Sequence, residues 1–201
     1  MKKLGLLPKL ILAIIIGIII GSFASENVVK IFATFNGIFG NFLNFVIPLI
    51  IVGFVAPGIG DLGDGAGKLL AVTAGLAYGS TIISGSIAYL TASTVLPKFL
   101  KEGSLVVDAA NPEEALLSGF FNVDMPPIFG VMTALLIAFI VGLGIAAIKG
   151  DTLKKLMHEF QEIVEKLINN IIIPLLPLHI LGIFANMTKA GQVVTILSVF
   201  S

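Results

Sequence analysis

The chain has 201 residues, 57% of them hydrophobic and only 12% charged, with a mean hydropathy of +1.07; an ordinary soluble domain is about a quarter charged, so a soluble globule is excluded. Twelve lysines balance twelve acidic residues and there is no arginine, which leaves neither a basic surface for nucleic acid nor a guanidinium fork for phosphate. There is no cysteine, so a disulfide framework, a thiolate metal site and a cysteine nucleophile are excluded too.

What remains is an all-α, polytopic membrane protein. A hydrocarbon core of about 30 Å takes about 20 apolar helical residues, and five stretches answer to that length, with the start of a sixth behind them. The first is Leu10 to Ser25, where Lys9 snorkels to the interface. Lys2, Lys3 and Ser22-Phe23-Ala24 also fit a cleaved leader, but the rest of the chain is equally apolar and an uncleaved span is the simpler account. The second, Ile31 to Gly60, carries no charge. At 1.5 Å per residue it runs about 45 Å, so it must tilt, project or break, and Pro48 and Pro57 are the expected breaks. The third is Leu69 to Pro97, the fourth Met125 to Ile148 and the fifth Leu167 to Thr188, with Pro174 and Pro177 as further expected breaks. Val193 to Ser201 reads as the first turns of a sixth.

Lysines near the span ends set orientation. With a cytoplasmic N-terminus, Lys2, Lys3, Lys9, Lys68, Lys149, Lys154 and Lys155 fall inside and Lys30, Lys98, Lys101 and Lys189 outside, which favours that orientation in a plasma membrane. Between the fourth and fifth spans, Leu153, Leu156, Met157, Phe160, Ile163, Val164 and Leu167 recur at helical spacing after Asp151 as N-cap. This predicts an amphipathic helix at the inner interface. The chain thus divides into 1–68 (two spans and an inner turn), 69–97 (third span), 98–124 (outer loop) and 125–201 (the remainder).

Motif matches are few. Gly58, Gly60 and Gly63 spell a dinucleotide fingerprint but join two membrane helices instead of a strand and a helix, and Gly67-Lys68 lacks the rest of a phosphate loop; both read as a tight turn. Ser84 or Ser86 with His179 would be the elements of an intramembrane hydrolase, yet no nucleophile motif surrounds the serines and no carboxylate lies within a span. The chain therefore does not read as an enzyme, and no cofactor is expected. Gly17 with Gly21 and Gly75 with Gly79 are spaced for close helix packing. The third span is rich in hydroxyls: Thr73, Tyr78, Ser80, Thr81, Ser84, Ser86, Thr91, Ser93 and Thr94. Such groups satisfy themselves on the carbonyl four residues back, or the Ser80-Thr81 cluster offers hard oxygens to a cation such as Na⁺ once another element adds a carboxylate.

Three segments carry a resemblance. FNGIFGNFLNFVIPLIIVGFVAPGIGDLG (Phe35 to Gly63), VMTALLIAFIVGLGIAA (Val131 to Ala147) and PLLPLHILGIFANM (Pro174 to Met187) resemble the second, fourth and fifth spans of the dicarboxylate/amino acid:cation symporters, to which the glutamate transporters belong. The resemblance covers essentially the whole chain but only the N-terminal half of a family member. It implies a homotrimeric scaffold of spans one, two, four and five, with span three belonging to a moving transport unit. It implies Na⁺ or H⁺ as coupling ion and a small dicarboxylate or amino acid as substrate, gripped by a C-terminal half whose Asn-Met-Asp-Gly-Thr helix is not in this sequence. Tyr78, Ser80 and Thr81 would then match the hydroxyls that help bind sodium. Asn41 and Asn44 stand where the family often has basic residues. The rival reading is a non-transporting membrane assembly protein whose helices pack through Gly17, Gly21, Gly75 and Gly79.

Overall fold

Glu26 to Gly60 form one helix of 35 residues, about 52 Å long, and the rest of the fold is arranged along it. The computed structural model describes residues 5–99, 115–148 and 151–193, without the side chains of residues 64 and 96–99. Among these the chain is helical with no strand: α1 (Leu6–Phe23), α2 (Glu26–Gly60), a 3-10 turn (Gly63–Gly65), α3 (Ala66–Phe99), α4 (Val131–Ile148), α5 (Asp151–Leu167), a π turn (Ile168–Ile172) and α6 (Ile173–Lys189). Five stretches are long and apolar enough to cross a membrane, α5 to α6 counting as one. Residues 194–201 of the expected start of a sixth span, and residues 100–114 of the expected outer loop, lie outside the described residues.

Small residues decide which helices touch. On α4, Ala134, Ala138, Gly142, Ile145 and Ala146 are buried, a stripe at helical spacing that lies on the C-terminal half of α2. A Cβ on Gly142 would stand 2.8 Å from the Ala56 carbonyl oxygen. Ala13, Gly17 and Gly21 do the same for α1, seating it on α6, where a Cβ on Gly17 would come within 2.6 Å of the Leu181 carbonyl oxygen. The remaining faces of both helices are apolar and exposed, as lipid-facing surface is. Ala56, Ala138, Ile145 and Met157 form a core where α2, α4 and α5 meet.

Three expectations differ from what is found. Pro48 and Pro57 do not break α2, which continues through both. Each side chain is fully buried, and packing against neighbours tolerates the missing bond in a membrane helix. Pro177 likewise lies inside α6. Pro174 is accommodated by the π turn just before it, whose wider winding relieves the clash of the ring with the preceding turn. The fourth span begins as helix at Val131, not Met125: Pro126-Pro127 force extended backbone on their predecessors, and residues 121–127 have no regular structure. The amphipathic α5 runs through the π turn directly into α6. It continues α6 antiparallel to α2, pairing Asn36 with His179, Gly53 with Phe160 and Val164, and Asp61 with Lys154. Its apolar face divides between protein, through Met157 and Val164, and exposure, through Leu156 and Ile163.

α3 stands apart. Ala66 is buried and Leu70 packs against the cluster of Ile59 and Ala146. From Leu69 to Val95 every residue is exposed except Leu70, Gly79 and Ala92, which are half-buried.

Candidate functional site

Five hydroxyls of α3, those of Thr81, Ser86, Thr91, Ser93 and Thr94, are turned on their own helix. Thr81 Oγ1 donates to the Ala77 carbonyl at 2.9 Å, Ser86 Oγ to Ile82 at 2.8 Å, Thr91 Oγ1 to Ile87 at 2.8 Å and Thr94 Oγ1 to Leu90 at 2.6 Å. Tyr78 is 75% exposed, and Ser80 and Thr81 are exposed as well. A Cβ on Gly75 or Gly79 would meet nothing within 4 Å, so this pair, unlike Gly17 and Gly21, touches no other element among the described residues. Tyr78, Ser80 and Thr81 therefore meet no second contributor of oxygens there, and the described residues hold no group of three or more His, Asp or Glu able to take a metal.

A built polar site lies elsewhere, between α2, α6 and the segment that leads into α4. α1 has 18 residues, about 27 Å or one hydrocarbon thickness, and its end is tied to the end of α6: Lys189 Nζ donates to the Ala24 carbonyl at 2.8 Å. Thr34 lies about 12 Å further along α2 than Glu26, in the uncharged run that reads as a membrane span. Irregular backbone at that depth has no water to satisfy it and must find partners in the protein. Asn186 supplies two, accepting from the Leu117 N–H and donating to the Leu117 carbonyl, both at 2.9 Å. Thr34 Oγ1 accepts from the Phe120 N–H at 2.8 Å while donating to Lys30. Asn41 Nδ2 donates to the Val123 carbonyl at 2.7 Å and to Asn122 Oδ1 at 2.9 Å. Three side chains thus replace a β-ladder. Gly119 lets the segment approach, since a Cβ there would lie 2.7 Å from Thr34 Cα.

Asn36 enters α6 in the same way. With its amide oriented to satisfy both sides, it accepts from the Ile183 N–H at 2.9 Å and donates to the His179 carbonyl at 3.2 Å and to His179 Nδ1 at 3.0 Å. It stands between the donor and acceptor of one helical turn, and Gly182 makes room, because a Cβ there would be 2.7 Å from the Asn36 amide. The His179 ring rests against Phe39, centroids 5.1 Å apart, and none of the serines of α3 is its partner. A cleft of about 460 Å³ opens beside these groups, lined by Ala33, Asn36, Gly119, Asn186 and Met187 among others. The amides of Asn36 and Asn186 that line it are committed to backbone groups.

Neither Thr34 nor Asn36 was singled out by spacing, and Asn41 was noted only as a departure from the resemblance. The available signal was that each is a lone polar residue in an apolar span, a position costly enough to require a partner.

At the C-terminal end of α2, Asp61 receives Lys154 Nζ at 2.9 Å and His158 Nε2 at 3.1 Å on one carboxylate oxygen. The Lys154 hydrogen bond holds its carboxyl below the usual carboxylate range. With a depressed folded-state pKa, the contribution of this tie is present above the ordinary carboxylate pKa and is lost as pH falls through the lowered one.

Helices long and apolar enough to cross a membrane, most of them packed along α2 while α3 is exposed over most of its length, define a multi-span helical membrane protein. The family model described as the sodium:dicarboxylate symporter family matches residues 6–201, and the chain belongs to that family of transporters. No curated protein and no solved structure gave a significant match.

Proposed function

We propose that this chain is the N-terminal part of a secondary active symporter that carries a dicarboxylate or an acidic or neutral amino acid with Na⁺ or H⁺. In this reading α1, α2, α4, α5 and α6 are the stationary scaffold, assembled as a homotrimer in the plasma membrane with the N-terminus cytoplasmic. α3 is the first helix of a unit that moves against it in an elevator stroke. One observation carries the reading: α2 gathers every other helix directly or through α6, whereas α3 leaves at Gly63 and is exposed along nearly its whole length. A helix that travelled with a separate body would be built so. In this reading the groups that grip the substrate are supplied by residues outside this sequence.

The test is uptake into proteoliposomes by the protein that contains this chain, under imposed Na⁺ or H⁺ gradients, with labelled dicarboxylates and amino acids. Gradient-driven accumulation supports the reading. No accumulation, together with coding sequence that supplies no serine-rich hairpins and no Asn-Met-Asp-Gly-Thr helix, overturns it in favour of a non-transporting assembly protein. The assignment of Tyr78, Ser80 and Thr81 to a cation site has its own check. Thr81→Val removes one oxygen ligand, worth about 1 kcal/mol, and should raise the Na⁺ concentration for half-maximal uptake about fivefold. An unchanged Na⁺ dependence removes these residues from the site.

A further inference from the structure

α2 ends at Gly60, and the next residue is an acid. A carboxylate at a helix C-terminus is opposed by the helix dipole, and a lysine in a first turn is opposed in the same way. Asp61 and Lys154 occupy those two positions, Asp61 at the C-cap of α2 and Lys154 in the opening turn of α5. Each is misplaced on its own helix and well placed for the other, with 2.9 Å between Lys154 Nζ and Asp61 Oδ1. His158, one turn on, adds Nε2 to the same oxygen at 3.1 Å. Beneath this tie Met157 is buried against Ala56, Ala138 and Ile145. Directly beyond it the character of the chain changes. Gly63 takes φ +62°, a backbone region that L side chains rarely enter, the 3-10 turn follows, and after Leu70 α3 loses contact with the rest.

We propose that Asp61 is a positioning group: it fixes the C-terminal end of α2 to α5 and so confines the pivot of α3 to Leu62–Gly65. Without the tie the last turn of α2 is free to unwind, and the swing of α3 starts from an undefined point. The tie belongs to this chain alone; its bearing on transport rests on the elevator reading above.

The experiment is amide hydrogen exchange of the full 201-residue chain in phosphatidylcholine nanodiscs. Asp61→Asn should speed exchange of residues 60–67 by about two- to fivefold, the range an exposed ion pair supports, while residues 46–53 inside α2 keep the parental rate and show that the fold is intact. Asp61→Glu should restore slow exchange. So should the charge-swapped pair Asp61→Lys with Lys154→Asp, which no role in shape alone would restore. Parental exchange at 60–67 in Asp61→Asn, or fast exchange in the swapped pair, overturns the proposal. In the protein that contains this chain, Asp61→Asn should change the maximal uptake rate and leave the half-saturating substrate concentration alone. A parent that takes up nothing defeats the transport reading and leaves the exchange result standing.

Discussion

Gly21→Leu is expected to lift α1 from α6 and to lower the thermal stability of the chain more than any other single change on α1. A Cβ at Gly21 would overlap the Ala185 carbonyl oxygen and lie 2.6 Å from Thr188 Cβ. A carbonyl in a helical ladder does not step aside, so the whole of α1 must. Overpacking of this kind costs about 1–3 kcal/mol, and lost contacts along the helix add to it. Gly17→Leu should behave alike, since a Cβ there meets the Leu181 carbonyl oxygen at 2.6 Å and Phe184 Cβ at 3.0 Å. Gly75→Ala and Gly79→Ala are the internal controls. Nothing within 4 Å would meet the added methyl, and alanine is the better helix former by about 1 kcal/mol, so both should be neutral or stabilising. Thermal unfolding in detergent, followed by circular dichroism, measures all four. A Gly21→Leu protein that melts with the parent would refute the close contact.

Asn186→Leu is expected to release the segment that leads into α4. The leucine leaves the Leu117 N–H and carbonyl without the two bonds that Asn186 makes at 2.9 Å. Each orphaned group costs about 1–3 kcal/mol, or about 2–6 kcal/mol for the two together. Asn186→Asp keeps the acceptor for the N–H and loses the donor, so it should fall between parent and leucine. Limited proteolysis at residues 115–124, with the melting temperature alongside, reads the series. Equal resistance of parent and leucine variants would show that the segment is held by something other than this amide.

Much of the fold was open to inspection in the sequence, for a definite reason. Uncharged runs such as Ile31 to Gly60 are a direct readout of lipid, and five of them gave five spanning stretches. The stripe Gly17, Gly21 named a packing face because small residues are the only ones that let backbones meet. The segments Phe35 to Gly63, Val131 to Ala147 and Pro174 to Met187 carried the family, which the match over residues 6–201 bears out. Prolines misled. A local rule predicts a break at Pro48 and Pro57, whereas the burial of both rings against neighbouring helices decides the outcome, and burial is not a local property. The same limit hid the polar staple. Asn186 finds Leu117 across 69 residues of chain, and Thr34 finds Phe120 across 86, distances at which no periodicity speaks. Tyr78, Ser80 and Thr81 illustrate the converse: their chemistry could be named from the sequence, but the elements that would complete a site are not among the described residues.

The length of α2 has one more consequence. A rod of 35 residues, about 52 Å, set in an oily layer of about 30 Å, couples the whole frame to lipid chain length. Helices α4, α5 and α6 are packed along it, so any tilt by which α2 meets that mismatch is shared by them.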